Sequence, residues 1–296
     1  MQTNGVCNKT KEIKMATFTN QATLSYNGNT TNSNVTTGEL ISTLTATKTA
    51  ISQTYSRGEG VAYAVTLVNS GTTPLTGISL TDNLGAYTVG AETFYPLDYV
   101  DGSVRLIING LPAAAPTVEA GPPLVISAIT IPPSSNAVIL YEATANQYAP
   151  LAIGSSITNT ATVTSGTIAE AIVSTATVNV ATATALTIAK AVCPDVVTDN
   201  GELTYTFIIQ NSGNEPANAD ANIVITDLFN PILTGIAVTL NGETFPATSY
   251  TYDETSGEFA TLPGSVTVPA ATYTTSTAGE IVLTPGVAVL KISGTV

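Results

Sequence analysis

Runs of alternating apolar and polar residues, rich in Val, Ile, Thr and Tyr and broken by Gly, Pro and Asn, recur from end to end of the chain. Period-two alternation is what a half-buried strand requires, and no 3.6-residue periodicity persists anywhere. The chain is therefore predicted to be all-β.

The pattern also repeats. "TATKTA" (Thr45 to Ala50) is followed by "GVAYAVTLVNSGTTPLTGISLTDNL", and "TIAKAV" (Thr187 to Val192) by "ELTYTFIIQNSGNEPANADANIVITDLF". Lys and Tyr are 15 apart in both copies (Lys48 to Tyr63, Lys190 to Tyr205), and each copy continues through "NSG" to a "TD" ending at Asp82 or Asp227. Further on, "TIPPSSNAVILYEA" from Thr130 resembles "VLTPGVAVLKIS" from Val282. Two copies of one domain are predicted, by the rule that a repeated motif set marks a repeated fold. The first copy continues into "SSITNTATVTSG"; the second has no counterpart of that strand after "LKIS", whereas "FTNQATLSY" at Phe18 matches it closely. The expected order is a tail (1–14), a closing strand with its connector (15–43), a complete sandwich (44–183) and an incomplete one (184–296).

Phase places three polar residues of each copy on the apolar side of their strands. Lys48 is in phase with Leu44 and Ala46, Asp82 with Ile78 and Leu80, and Asn159 with Ile157 and Val163. Lys190 follows Leu186, Ile188 and Val192; Asp227 follows Ile223 and Ile225; Asn20 follows Phe18, Leu24 and Tyr26. All six are expected to point inward. An isolated buried charge costs several kcal/mol, so each Lys should be paired or neutral. One reading is a buried Lys–Asp pair hydrogen-bonded to Asn. The other is chemistry: a desolvated, neutral Lys amine attacks the Asn carboxamide beside a protonated Asp, expels ammonia and leaves an isopeptide bond.

The residues "TKT…GVAYAVTLVNSG…LTDNL…ITNTATV" resemble the bacterial surface-protein conserved repeat, domain of unknown function eleven, over most of the chain. More loosely, they are similar to the isopeptide-forming immunoglobulin-like domains of pilins and collagen adhesins. The resemblance implies two immunoglobulin-like Greek-key β-sandwiches in tandem. It also implies that Lys48, Asp82 and Asn159 act as nucleophile, acid and acceptor, and that Lys190 and Asp227 take the first two roles in the second domain, with Asn20 available for the third.

A sandwich without its last strand exposes an edge and an apolar slot, which something must cover. The donor strand, with Phe18, Asn20, Ala22, Leu24 and Tyr26, either folds back within its own chain or enters the next molecule. Asn20 lies 28 residues before Lys48, and Asn159 lies 31 before Lys190, so the donor enters domain one much as domain one enters domain two. This favours the second route, a head-to-tail homopolymer, since a heterologous contact that does not close makes a filament.

Composition narrows the function. The formal charge is -13 with only 8 basic residues, three of them at Lys9, Lys11 and Lys14, which argues against nucleic acid. No apolar run reaches the roughly 20 residues of a membrane-spanning helix, and none near the start resembles a signal peptide. An extracellular protein is expected nonetheless, numbered after processing or released by lysis, on a cell or spore surface. Cys7 and Cys193 are the only cysteines: two free thiols, or one bridge, within the chain or between subunits. There is no His, no phosphate loop and no serine elbow, so no enzyme, cofactor or metal site is expected; Asp195 and Asp199 lack calcium-ligand spacing. The segment from Tyr95 to Leu124 departs furthest from the repeat and reads as a surface hairpin or a contact site. A fibre subunit is the leading reading, and a monomeric stalk or adhesin module the rival.

Overall fold

The computed structural model describes residues 15–166, 168 and 170–296. They form two units: the first holds the described residues up to Gln53, then Gly58–Asn146 and Thr158–Val178; the second holds Thr54–Arg57, Gln147–Ile157 and Asn179–Val296. The architecture is all-β. Among the described residues the helical elements are two single 3-10 turns, Ala219–Ala221 and Ala247–Ser249.

In the first unit the sequence alternation becomes an alternation in burial. Leu44–Ala50 turns Leu44, Ala46 and Lys48 inward and Thr45, Thr47 and Thr49 outward. That strand pairs with Gly60–Asn69, which pairs in turn with Ser135–Ala145. The opposite layer orders Leu124–Ile131, Leu75–Asp82, Ser156–Thr164 and Ile172–Val180 side by side. Between the layers Tyr63, Val65, Leu80, Ile126, Ile139 and Val163 are fully buried; each large aliphatic side chain so buried contributes about 1.5–3 kcal/mol. The segment from Tyr95 to Leu124 is an extension of these sheets. Arg105–Ile108 and Leu111–Pro112 pair around Asn109 and Gly110, both in the left-handed region that a tight hairpin turn demands.

The "NSG" motif proves to be a structural staple. Asn69 is fully buried; its amide donates to the Thr73 and Pro132 carbonyls, and its Oδ1 accepts from Gly71 N–H. Asn211 repeats this with Glu215, Pro269 and Gly213. Truncating either strands several buried backbone groups at once. Asn69→Ala is expected to destabilise the first unit by about 3 kcal/mol, read as a lower midpoint in urea unfolding.

The N-terminal segment is a long hairpin: Met15–Asn20 pairs with Thr36–Ile41 and Thr23–Tyr26 with Asn29–Asn32. Asn27 and Gly28 turn it, again with positive φ. Phe18, Leu24 and Tyr26 face solvent, with Phe18 58% and Leu24 60% exposed. Phe18 lies across Gly38, where even a Cβ would strike the ring.

In the second unit Leu186–Cys193, Glu202–Asn211, Gly286–Thr295 and Thr234–Leu240 are consecutive in one sheet. The register copies the first unit: Lys48 stands opposite Val65 and Lys190 opposite Phe207, while Tyr63 faces Tyr141 and Tyr205 faces Ile292. The other layer is smaller, with Thr226–Leu228 paired to Glu258–Thr261 and Ile223 bridged to Val266. Leu203, Phe207, Ile225, Phe229 and Leu290 centre its core.

Candidate functional site

Three strands of the first unit bring Lys48, Asp82 and Asn159 together. Lys48 is the third inward residue of Leu44–Ala50, Asp82 ends Leu75–Asp82, and the pairing of Asp82 with Ala161 sets Asn159 two positions along on the same face. All three are buried, Lys48 being 3% exposed and the others fully enclosed. The Lys48 ammonium is paired with Asp82 Oδ2 and lies over the Tyr63 ring at 4.6 Å and the Tyr141 ring at 5.6 Å. Asp82 Oδ1 accepts from Leu84 N–H at 2.9 Å, and Oδ2 also accepts from the Tyr141 hydroxyl. The Asn159 amide donates to the Tyr141 oxygen at 3.4 Å, while its Oδ1 has no hydrogen-bond partner. A buried carbonyl without a donor is expensive and uncommon.

Electrostatics follow from that enclosure. Burial lowers the Lys48 pKa to about 8, against the pull of Asp82 in the other direction. Burial, then the neighbouring Asp82 charge, holds the Tyr141 hydroxyl well above its ordinary value, so it remains a donor. The sign for stability is fixed. Between about pH 8 and 10.5 the unfolded chain binds the Lys48 proton that the folded one lacks, so stability should rise with pH in this window by up to about 1.4 kcal/mol per unit. Comparing Asn159→Ala with Asn159→Ala/Lys48→Met by urea unfolding at pH 8 and pH 10 isolates this: only the variant retaining Lys48 gains.

In the second unit Lys190 is paired with Asp227 Oδ2 and lies over the Tyr205, Phe207 and Phe229 rings at 4.3, 5.5 and 5.7 Å. Asp227 Oδ1 accepts from Leu228 N–H. Here the expected burial fails. The Lys190 side chain is 40% exposed and Asp227 17%, because every residue of Leu186–Cys193 faces solvent, Ile188 with 57% of its surface. The Lys190 ammonium lies over the Tyr205, Phe207 and Phe229 rings, but the face that bears it is uncovered. Asn20, likewise expected inward, is exposed on the N-terminal hairpin with Phe18, Ala22, Leu24 and Tyr26. Cys193 is an exposed free thiol, and Cys7 lies outside the described residues.

Tyr141 escaped the sequence reading, although a signal was present. It shares the inward phase of Ile139 and Ala143, and a buried tyrosine hydroxyl needs a polar partner. Among the described residues no group of three or more His, Cys, Asp or Glu could hold a metal, and no helix is long and apolar enough to cross a membrane.

No family model matches the chain, and no curated protein matches it. Solved structures do. The major pilin subunit of Bacillus cereus is similar over 91% of this chain and 73% of its own, at 11% identity and a TM-score of 0.34. The pilus backbone of Streptococcus pneumoniae is similar over 82% of this chain, at 13% identity and a TM-score of 0.35; the match spans 55% of that protein. The collagen-binding domain of a Staphylococcus aureus adhesin matches over 97% of its length and 46% of this chain, at 9% identity and a TM-score of 0.30.

Proposed function

We propose that this chain is the structural subunit of an extracellular filament, assembled head to tail when the N-terminal hairpin of one copy completes the second sandwich of the next. One observation carries the reading. In the first unit the face bearing Lys48 is covered, and Ser174 on Ile172–Val180 accepts a hydrogen bond from Lys48 N–H; in the second unit the equivalent face, with Leu186, Ile188, Lys190 and Val192, is bare. A segment whose sequence matches Ser156–Thr164, the strand beside Ile172–Val180 that carries Asn159, stands exposed near the start of the chain. An open apolar face beside an unpaired edge invites strand addition.

The first unit supplies the register. Ala161 pairs with Asp82 and Val163 with Leu80, so Ala22 should pair with Asp227 and Leu24 with Ile225, carrying Asn20 to Lys190. The Asn27–Gly28 turn and the following strands make the donor a two-stranded hairpin, which matches the neighbouring pair Ser156–Thr164 and Ile172–Val180. Docking buries apolar surface on both partners, the main driving force for such association.

The cross-link is the second part of the proposal. Lys48 within a chain and Lys190 between chains each form an amide with the facing Asn. The amine nitrogen adds to Asn Cγ, the bond from Cγ to Nδ2 breaks, and the two protons given up by the ammonium leave with that nitrogen as an ammonium ion. The reacting pair, a neutral amine beside a protonated acid, holds the same proton count as the ion pair. Formation of the Lys48–Asn159 bond should therefore slow by about tenfold per pH unit once the proton of the Lys48 pair is lost above about 8.

Negative-stain electron microscopy of the full chain beside a variant lacking residues 1–38 tests assembly. Fibres from the first alone are the expected result. Compact monomers from both at high concentration would overturn it and leave the monomeric stalk or adhesin module.

A further inference from the structure

The two copies differ at the lysine in one instructive way. Tyr141 and Ile292 hold the same register position, opposite Tyr63 and Tyr205 respectively. Two residues after the aspartate the trade is reversed, with Leu84 in the first copy and Phe229 in the second. Phe229 stacks on Tyr205 at 4.8 Å, as Tyr141 stacks on Tyr63 at 5.5 Å. Ring volume against the lysine is thus provided either way. What the first copy alone has at this position is a hydroxyl, and that hydroxyl touches both Asp82 and the Asn159 amide nitrogen.

Resting on the cross-link reading above, we propose that Tyr141 is a catalytic residue of the Lys48–Asn159 bond, its hydroxyl passing a proton from Asp82 to the departing nitrogen. Asp82 first takes a proton from the Lys48 ammonium and shares it with the Asn159 carbonyl oxygen as the amine adds. Collapse of the tetrahedral adduct needs a proton on Nδ2, since an amide anion is a very poor leaving group. Tyr141 stands 3.4 Å from that nitrogen and is hydrogen-bonded to Asp82 on its other side. It gives its proton to Nδ2 and recovers one from Asp82, to which the carbonyl oxygen returns the shared proton as the C=O bond re-forms. The Cγ–Nδ2 bond breaks, and the second proton of the former Lys48 ammonium, left on the new amide nitrogen, passes to the departing ammonia, which leaves as an ammonium ion. Asp82 is thereby spared from serving two separated atoms. In the second copy Ile292 cannot do this, so the bond between Lys190 and Asn20 should form more slowly.

The test uses the full chain with Lys190→Ala, so that only the first unit reacts, made by cell-free translation and followed by intact mass for loss of one ammonia. Tyr141→Phe keeps the ring on Tyr63 and removes the hydroxyl. It is expected to lose ammonia at least about a hundredfold more slowly, the scale of general acid catalysis, while melting within a few degrees of its parent when both carry Asn159→Ala. An unchanged rate overturns the proposal. A parent that never loses ammonia overturns the cross-link itself, and that arm is read without Tyr141→Phe. Should Tyr141→Phe not fold, Ile292→Tyr/Phe229→Leu decides in otherwise unaltered fibres: faster covalent joining supports the relay, and an unchanged rate rejects it.

Discussion

Fibres of the unaltered chain, boiled in detergent, should leave a ladder of covalent oligomers, and fibres of Lys190→Ala or Asn20→Ala should fall apart into single chains. The two substitutions remove opposite partners of one bond, so they should give the same gel. Neither removes much apolar surface. In the proposed assembly docking would rely on the exposed Phe18, Leu24 and Tyr26 meeting the side of the second sandwich that bears Leu186, Ile188 and Val192, so both variants should still make fibres visible by electron microscopy. Asn159→Ala is the matched control: it removes the acceptor of the bond proposed for the first unit and should leave the ladder intact. Fibres lost together with the ladder would mean that Lys190 and Asn20 hold the hairpin by contact alone.

The second large effect lies in the first unit. Lys48→Met, made with Asn159→Ala so that no bond forms in either protein, leaves Asp82 fully buried with the Tyr141 hydroxyl and Leu84 N–H but without its counter-ion. Breaking a buried pair from one side costs about 3–5 kcal/mol, the charge left behind being the reason. Adding Asp82→Leu should restore most of that loss, because an apolar residue needs no partner. Urea unfolding of the two variants measures the difference. Equal stability of Lys48→Met and its parent would overturn the ion-pair reading of this contact.

Much of this was legible in the chain. Period two gave Leu44, Ala46 and Lys48 one face, and the internal repeat set Lys190, Asp227 and Asn211 beside their counterparts. Phase, however, reports only the direction of a side chain and not what lies across from it. Lys48 and Lys190 have the same phase and opposite fates, buried and half-exposed, because covering a face is a matter of which other strand arrives. Tyr141 shows the other limit. Its neighbours in space, Asp82 and Asn159, are remote in sequence, and the substitution by Ile292 in the second copy hid it from the repeat comparison. The buried "NSG" asparagines were equally plain as a motif, yet only their backbone partners reveal a turn staple.

The position of Lys48 has a mechanical meaning. It sits on the first strand of its sandwich and Asn159 on one of the last, Ser156–Thr164, so a bond between them would tie the place where the chain enters to the place near which it leaves. Tension applied from outside would then run across that single amide, and the strands between, Gly60–Asn69 to Ser135–Ala145, would carry none of it. Hydrogen-bond ladders yield under sustained pulling; a covalent bypass does not stretch. A thread made of such units would hold its length until something other than the fold gave way.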